Sequence, residues 1–128
     1  MTMANIKRLH AVLDHITEHP EEHRQQSWRT EKEGCGTRMC FAGHTVVMFG
    51  PQAGMTGWAE PVFENRLEGK MYGSVVVDNV EVDVETFAAD LLGLDHDQQQ
   101  ALFYSMGGVI ELREVVLDIE HGLIGEEV

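Results

Sequence analysis

Hydrophobic residues recur at helical spacing in several separate segments of the chain. In residues 5–19, apolar side chains at positions 6, 9, 12, 13 and 16 share one face, and charged side chains take the other. Pro20 ends this helix, because a proline disfavours the α conformation of the residue before it. Similar spacing predicts helices over residues 39–49, 84–92, 95–104 and 109–121. Gly93 supplies a stop after the third of these five helices, and Asp95 with Gln98 resembles a capping box opening the fourth.

Alternation of apolar and polar residues, the strand pattern, is clear in one place. Residues 80–84 alternate valine with acidic residues, residues 75–77 are three valines, and Asp78-Asn79 can form the turn between them. This predicts one β-hairpin over residues 71–84. A short helical turn and a loop anchored by Trp28 are expected over residues 21–33. Residues 52–70 are expected to be an irregular loop with one short helix around 61–67. The fold class is therefore mainly α (α+β), with about five helices and one β-hairpin.

Length and hydropathy place the chain among folded proteins. With 128 residues it is long enough for one domain with a single core, and we expect residues 1–128 to form that domain. The hydrophobic fraction is 43% and the mean hydropathy is −0.20. No apolar run approaches the roughly 20 residues that cross a bilayer, and the first residues lack the apolar region of a secretory signal. We expect a cytoplasmic protein without a membrane partner.

Charge narrows the class of partner. Nine Lys and Arg residues stand against 22 Asp and Glu residues, which gives a formal net charge of −13. Such a field repels phosphate backbones, so direct binding of nucleic acid is disfavoured. It suits a partner protein with a basic surface. The favoured interpretation of the charge, however, is that it confers solubility and nothing more.

The segment of residues 35–44 carries the most candidate chemistry. It contains both cysteines, Cys35 and Cys40, with His44 four residues beyond the second. Thr37 can cap a helix whose first turn contains Cys40, and the N–H groups there would favour a thiolate. Cys40 and His44 would then share one helix face at i, i+4.

Four interpretations of this segment stay open. Cys35, Cys40 and His44 are zinc-type ligands, but a structural zinc site normally takes a fourth. The first helix offers three candidates for that fourth ligand: His10, His15 and His19. A redox pair or disulfide, and a cysteine nucleophile with a histidine base, are the second and third interpretations. The favoured one is structural, with small buried cysteines beside a capped turn.

Two further patterns resemble functional sites but are better interpreted as structural features. His15, His19 and His23 are spaced at i, i+4 and i+8, but Pro20 breaks the helix that would align them, which predicts a solvated surface. The two helices within residues 87–104 resemble a helix-turn-helix. The second of them has no Lys or Arg, so an αα packing corner is the better interpretation.

Several short motifs relate the chain to a group of known proteins. They are Asp14-x-Ile16 with His19-Pro20-Glu21, Trp28, Cys35-Gly36-Thr37-x-x-Cys40-x-Ala42-Gly43, Ala89-x-Leu91-Leu92-Gly93-Leu94 and Ala101-Leu102-Phe103. In these motifs the chain resembles small uncharacterised proteins of actinobacteria and their phages. The resemblance covers the first and last thirds of the chain and implies a context rather than an activity.

These observations predict a non-enzymatic, phage-encoded accessory protein that needs no cofactor and binds a host protein. One specific version is occlusion of a basic, nucleic-acid-binding surface by acidic mimicry. The alternative is a small zinc- or thiol-dependent protein centred on Cys35, Cys40 and His44. A third interpretation is a homo-oligomer that uses the exposed part of the C-terminal helix.

Overall fold

The computed structural model of the protein describes residues 4–23, 29–32, 36–65, 69–105 and 108–124. The described residues form five α-helices: α1 Ile6–Glu18, α2 Phe41–Phe49, α3 Val84–Leu92, α4 His96–Phe103 and α5 Val109–Glu120. They also form seven strands: β1 Arg29–Lys32, β2 Gly36–Arg38, β3 Met55–Trp58, β4 Phe63–Asn65, β5 Gly69–Tyr72, β6 Ser74–Val77 and β7 Val80–Asp83. Two 3-10 turns lie at Pro20–Glu22 and Pro51–Ala53. The predicted anchor Trp28 lies outside the described residues.

The strands form two antiparallel sheets, so the α+β class is confirmed and the single β-hairpin is wrong. β6 and β7 are the predicted hairpin, and β3 adds a third strand beside β6. Asp78 and Asn79 both have positive φ, 51° and 67°, as a two-residue hairpin turn of type I′ requires. The second sheet has the strand order β2-β1-β5-β4.

In the described part of residues 61–67, which ends at residue 65, a strand of the second sheet takes the place of the expected helix. β4 pairs with β5 there, and β5 pairs in turn with β1, some forty residues earlier in the chain. Strands of three or four residues are too short to show a clear alternation. Their pairing depends on distant partners, which periodicity along the chain does not report.

The hydrophobic core lies between the helices, with α2 in contact with α1, α3 and α4. The large side chains that are fully buried there are Leu9, Leu13, Ile16, Phe41, Leu92, Leu102, Phe103 and Leu112. β6 contributes Val75 to the same core. Among the described residues, no helix combines the length and apolar character that crossing a bilayer requires.

Helix ends follow local chemistry in most places. The Asn5 side chain accepts a hydrogen bond from Arg8 N at 3.1 Å at the start of α1. Asp95 and Gln98 form the predicted capping box of α4, and Gly93 ends α3 with a φ of 66°. At α2 the prediction was wrong. The helix begins at Phe41, and Thr37, the expected cap, lies in β2.

Candidate metal centre

A tight turn after α1 brings the chain back towards the core. His19 follows the last helical residue, and its N–H bonds to the His15 carbonyl oxygen at 2.9 Å. Pro20–Glu22 then forms a single 3-10 turn, and His23 is extended and bridges to Met39. Pro20 does break the helix, as expected. After this break the chain turns back, so that the following residues lie against α1 and α2.

The backbone carbonyl of Glu22 fixes this turn on α2. Its oxygen accepts a hydrogen bond from Met39 N at 2.9 Å and another from His44 Nε2 at 3.0 Å. Because a carbonyl oxygen can only accept, Nε2 of the neutral imidazole carries the proton, and Nδ1 has the free lone pair. A metal-binding histidine typically donates its second ring nitrogen in this way, which holds the ring in one orientation.

Three side chains converge at this turn: His15, Glu22 and His44, which we call the HEH cluster. His15 Nε2 lies 3.0 Å from Glu22 Oε1, and the rings of His15 and His44 have centroids 5.2 Å apart. Each of the three residues offers one ligand atom, and these atoms all lie within 4.8 Å of one another. The His23 ring lies 6.4 Å from that of His44, at the edge of the cluster. Residues from α1, the 3-10 turn and α2 therefore meet in one place.

His44 is the buried member of the HEH cluster. Its side chain is only 1% exposed, and this burial lowers the pKa of the imidazole to about 4. The bond to the Glu22 carbonyl opposes that effect, and the nearby imidazoles of His15 and His23 add to it. His44 is consequently neutral at pH 7, the form in which histidine binds a metal ion.

His15 and Glu22 make the open side of the HEH cluster, since about a third of each side chain or more faces solvent. Two imidazoles and one carboxylate form a recognised zinc ligand set that leaves a fourth position for water or substrate. Zinc lies about 2.0–2.2 Å from such ligands, so the three atoms must approach one another to share an ion. The half-exposed side chains have the freedom to rotate that this approach needs.

Cys40, the second predicted ligand, lies in different surroundings. It is fully buried, and burial raises the pKa of its thiol to about 12, although the N–H groups of Gly43 and Ala42 lower it in part. The negative charge of Glu85 raises it further. The N–H groups therefore act in the expected direction, but burial outweighs them and the thiol stays protonated. Among the described residues, one of the two groups with metal-binding geometry contains His44 and neither contains Cys40, while Cys35 lies outside those residues.

Cys40 does not join His44 in a ligand group because of where α2 begins. Cys40 precedes the first helical residue, with φ −77° and ψ −176°, so its side chain does not follow the i, i+4 geometry that was expected to align it with His44. Sequence reasoning named His15 as one source of a further ligand and missed Glu22. The pattern that pointed to them was two histidines at i, i+4 followed by Pro-Glu-Glu.

No protein-family model matches the chain, and no solved structure matches it. The resemblance to small proteins of actinobacteria and their phages stays a prediction from the sequence motifs. The geometry of the HEH cluster is accordingly what indicates a function.

Proposed function

We propose that this protein binds a zinc ion through His15, Glu22 and His44, in an open site with one coordination position left for water or a substrate. The observation that carries the proposal is the convergence of three ligand atoms within 4.8 Å, drawn from three different elements. The zinc-dependent interpretation of the sequence is thereby retained. Its ligands other than His44 change from the two cysteines to His15 and Glu22.

Charge and preorganisation support zinc at the HEH cluster. The formal net charge of −13 attracts divalent cations to the protein. The contact between His15 and Glu22 is already made at 3.0 Å, so the two ligand atoms face each other before a cation enters between them. The carbonyl of Glu22 holds His44 through its second ring nitrogen, as described above. An open zinc site polarises a bound water, and this is the chemistry that the arrangement would supply.

Zinc affinity tests the proposal directly, with a matched pair of histidine variants on α1. His10 is the control, because it pairs with Glu120 at 2.8 Å and has a similar exposure to His15. Metal-free protein would be titrated with zinc against a chromophoric chelator. We expect His15→Gln to lower the affinity more than about 100-fold, beyond the cost of losing an outer-shell partner. His10→Gln should leave it unchanged.

Equal affinities in the wild-type protein and both variants would contradict the proposal. So would a wild-type protein that takes no zinc from a chelator of micromolar affinity. Circular dichroism of both variants establishes that they remain folded. The two substitutions make the same chemical change on one helix, so a difference between them reports the position and not the loss of a histidine.

A second candidate function rests on the net charge of −13: binding to a basic, nucleic-acid-binding surface of a host protein. A contact driven by charge is strongest at low ionic strength and weakens as salt screens it. The test is capture of a partner over a salt series, followed by competition with nucleic acid for that partner. We expect capture at low salt, release at high salt and displacement of the nucleic acid. A complex that is lost at low salt, or that leaves nucleic acid bound, would refute it.

A further inference from the structure

The carboxylate of Glu22 lies between two histidines, one at each oxygen. Oε1 is 3.0 Å from His15 Nε2, and Oε2 is 3.9 Å from His19 Nδ1. The two rings lie side by side, with centroids 4.7 Å apart and planes tilted by 37°. Glu22 therefore contacts a different imidazole with each of its oxygens.

Beside each of these two histidine–carboxylate contacts lies a third residue that could bind a metal ion. On the Oε1 side this ligand is His44. On the Oε2 side it is Glu21, whose Oε1 lies 3.6 Å from His19 Nδ1. His19, Glu21 and Glu22 also bring one ligand atom each to within 4.8 Å of one another. Among the described residues, these two groups of three are the ones that meet this geometry, and Glu22 belongs to both.

Two adjacent groups of ligands that share one carboxylate are what a carboxylate-bridged pair of metal ions requires. In such sites the two ions lie about 3.5–4 Å apart, and each has ligands of its own besides the bridge. Here His15 and His44 would serve one ion, and His19 and Glu21 the other. The second group is not merely acidic, since it contains a histidine as well as two carboxylates.

The local sequence explains why two adjacent sites form. His15 and His19 are one helical turn apart, at i, i+4, at the end of α1. The 3-10 turn that begins at Pro20 then places Glu21 and Glu22 beside those two rings. The segment His15 to Glu22 thus supplies every ligand except His44, which α2 adds from the core.

We propose that the turn after α1 binds two divalent transition-metal ions bridged by Glu22, one with His15 and His44 and the other with His19 and Glu21. This inference rests on the proposed zinc function and extends it from one ion to two. The first ion has the buried His44 as a ligand. The second has no buried ligand, since His19 is 44% and Glu21 66% exposed, so it binds more weakly.

The number of zinc ions per chain tests this inference. Wild-type protein would be dialysed against buffered zinc over a concentration series, and bound metal counted by elemental mass spectrometry. We expect two ions in the wild-type protein, one in Glu21→Gln and none in Glu22→Gln. Glu18→Gln removes an exposed carboxylate of α1 outside both groups and is the matched control, with two ions expected.

The outcomes separate this inference from the proposed function. A single ion in the wild-type protein at saturation would overturn the bridged pair and leave the zinc function standing. Two ions in both the wild-type protein and Glu21→Gln would also overturn it, because the second ion would then lie elsewhere. No bound ion would overturn both. Substitution with cobalt gives an independent readout, since two bridged ions couple magnetically and a single ion does not.

Discussion

Cys40 and His44 lie four residues apart in the sequence, and both are almost completely buried, yet their surroundings differ. Cys40 precedes α2 and is part of the hydrophobic core cluster. His44 lies within the helix and faces His15, His23 and the Glu22 carbonyl. Burial raises the pKa of the thiol and lowers that of the imidazole, so both side chains are neutral at pH 7.

The same physical effect therefore has opposite consequences for chemistry at the two positions. A cysteine binds metal or attacks a substrate as a thiolate, so a neutral thiol in the core is unreactive. A histidine binds metal in its neutral form, so the same burial prepares His44 as a ligand. What makes one position a candidate site is the group of polar neighbours that opens to solvent, not the type of residue alone.

The largest difference that we expect is in thiol reactivity. A pKa near 12 in place of the ordinary 9.0 lowers the thiolate fraction of Cys40 at pH 8 about a thousandfold. In a Cys35→Ser background Cys40 is the single remaining thiol. Its reaction with a disulfide reagent should be about a thousandfold slower in the folded protein than in guanidinium. Similar rates in the two conditions would show that Cys40 is exposed and reactive, which would remove the contrast with His44.

Zinc affinity tests the same comparison through His44. His44→Gln should weaken zinc binding by more than about 100-fold, because it removes a direct ligand and not an outer-shell partner. Gln can still donate to the Glu22 carbonyl, which limits the damage to the fold. Cys40→Ala should leave the affinity unchanged. Competition with a chelator measures both, and an equal loss in the two variants would mean that the cysteine belongs to the site after all.

Local rules predicted much of the framework. The bounds of α3, residues 84–92, matched the prediction, as did the capping box of Asp95 and Gln98 and the turn at Asp78-Asn79. Each of these features depends on residues within a few positions of one another. The short strands of the second sheet were missed because their partners lie far apart in the chain.

Of the HEH cluster, His15 and His44 were predicted as candidate ligands, and Glu22 was missed for a related reason. The spacing of His15, His19 and His23 is visible in the sequence, and Pro20 ends the helix as predicted. The direction of the chain after Pro20 was not predictable, because it depends on hydrogen bonds from Met39 and His44 to the carbonyl of Glu22. Those two residues lie seventeen and twenty-two positions further along. The two cysteines suggest a site because their residue type is rare, whereas Glu22 is one of 22 acidic residues and His15 one of seven histidines.

The smallest effect that we expect is a pH-dependent stability from Cys40. Its folded pKa of about 12 lies above the ordinary value of 9.0, so between these values the folded protein binds more protons than the unfolded one. Stability therefore falls as pH rises through this range. From pH 8 to pH 10 the thiol should cost about 1 kcal/mol of the free energy of unfolding.

Denaturant titrations at both pH values measure this, in the Cys35→Ser background with and without Cys40→Ala. The alanine variant should lose this part of the slope and keep the part due to Tyr104, whose pKa is also raised to about 12, chiefly by its hydrogen bond to Glu85. Equal slopes in the two proteins would mean that the Cys40 thiol titrates normally, and that only His44 has its protonation set by the fold.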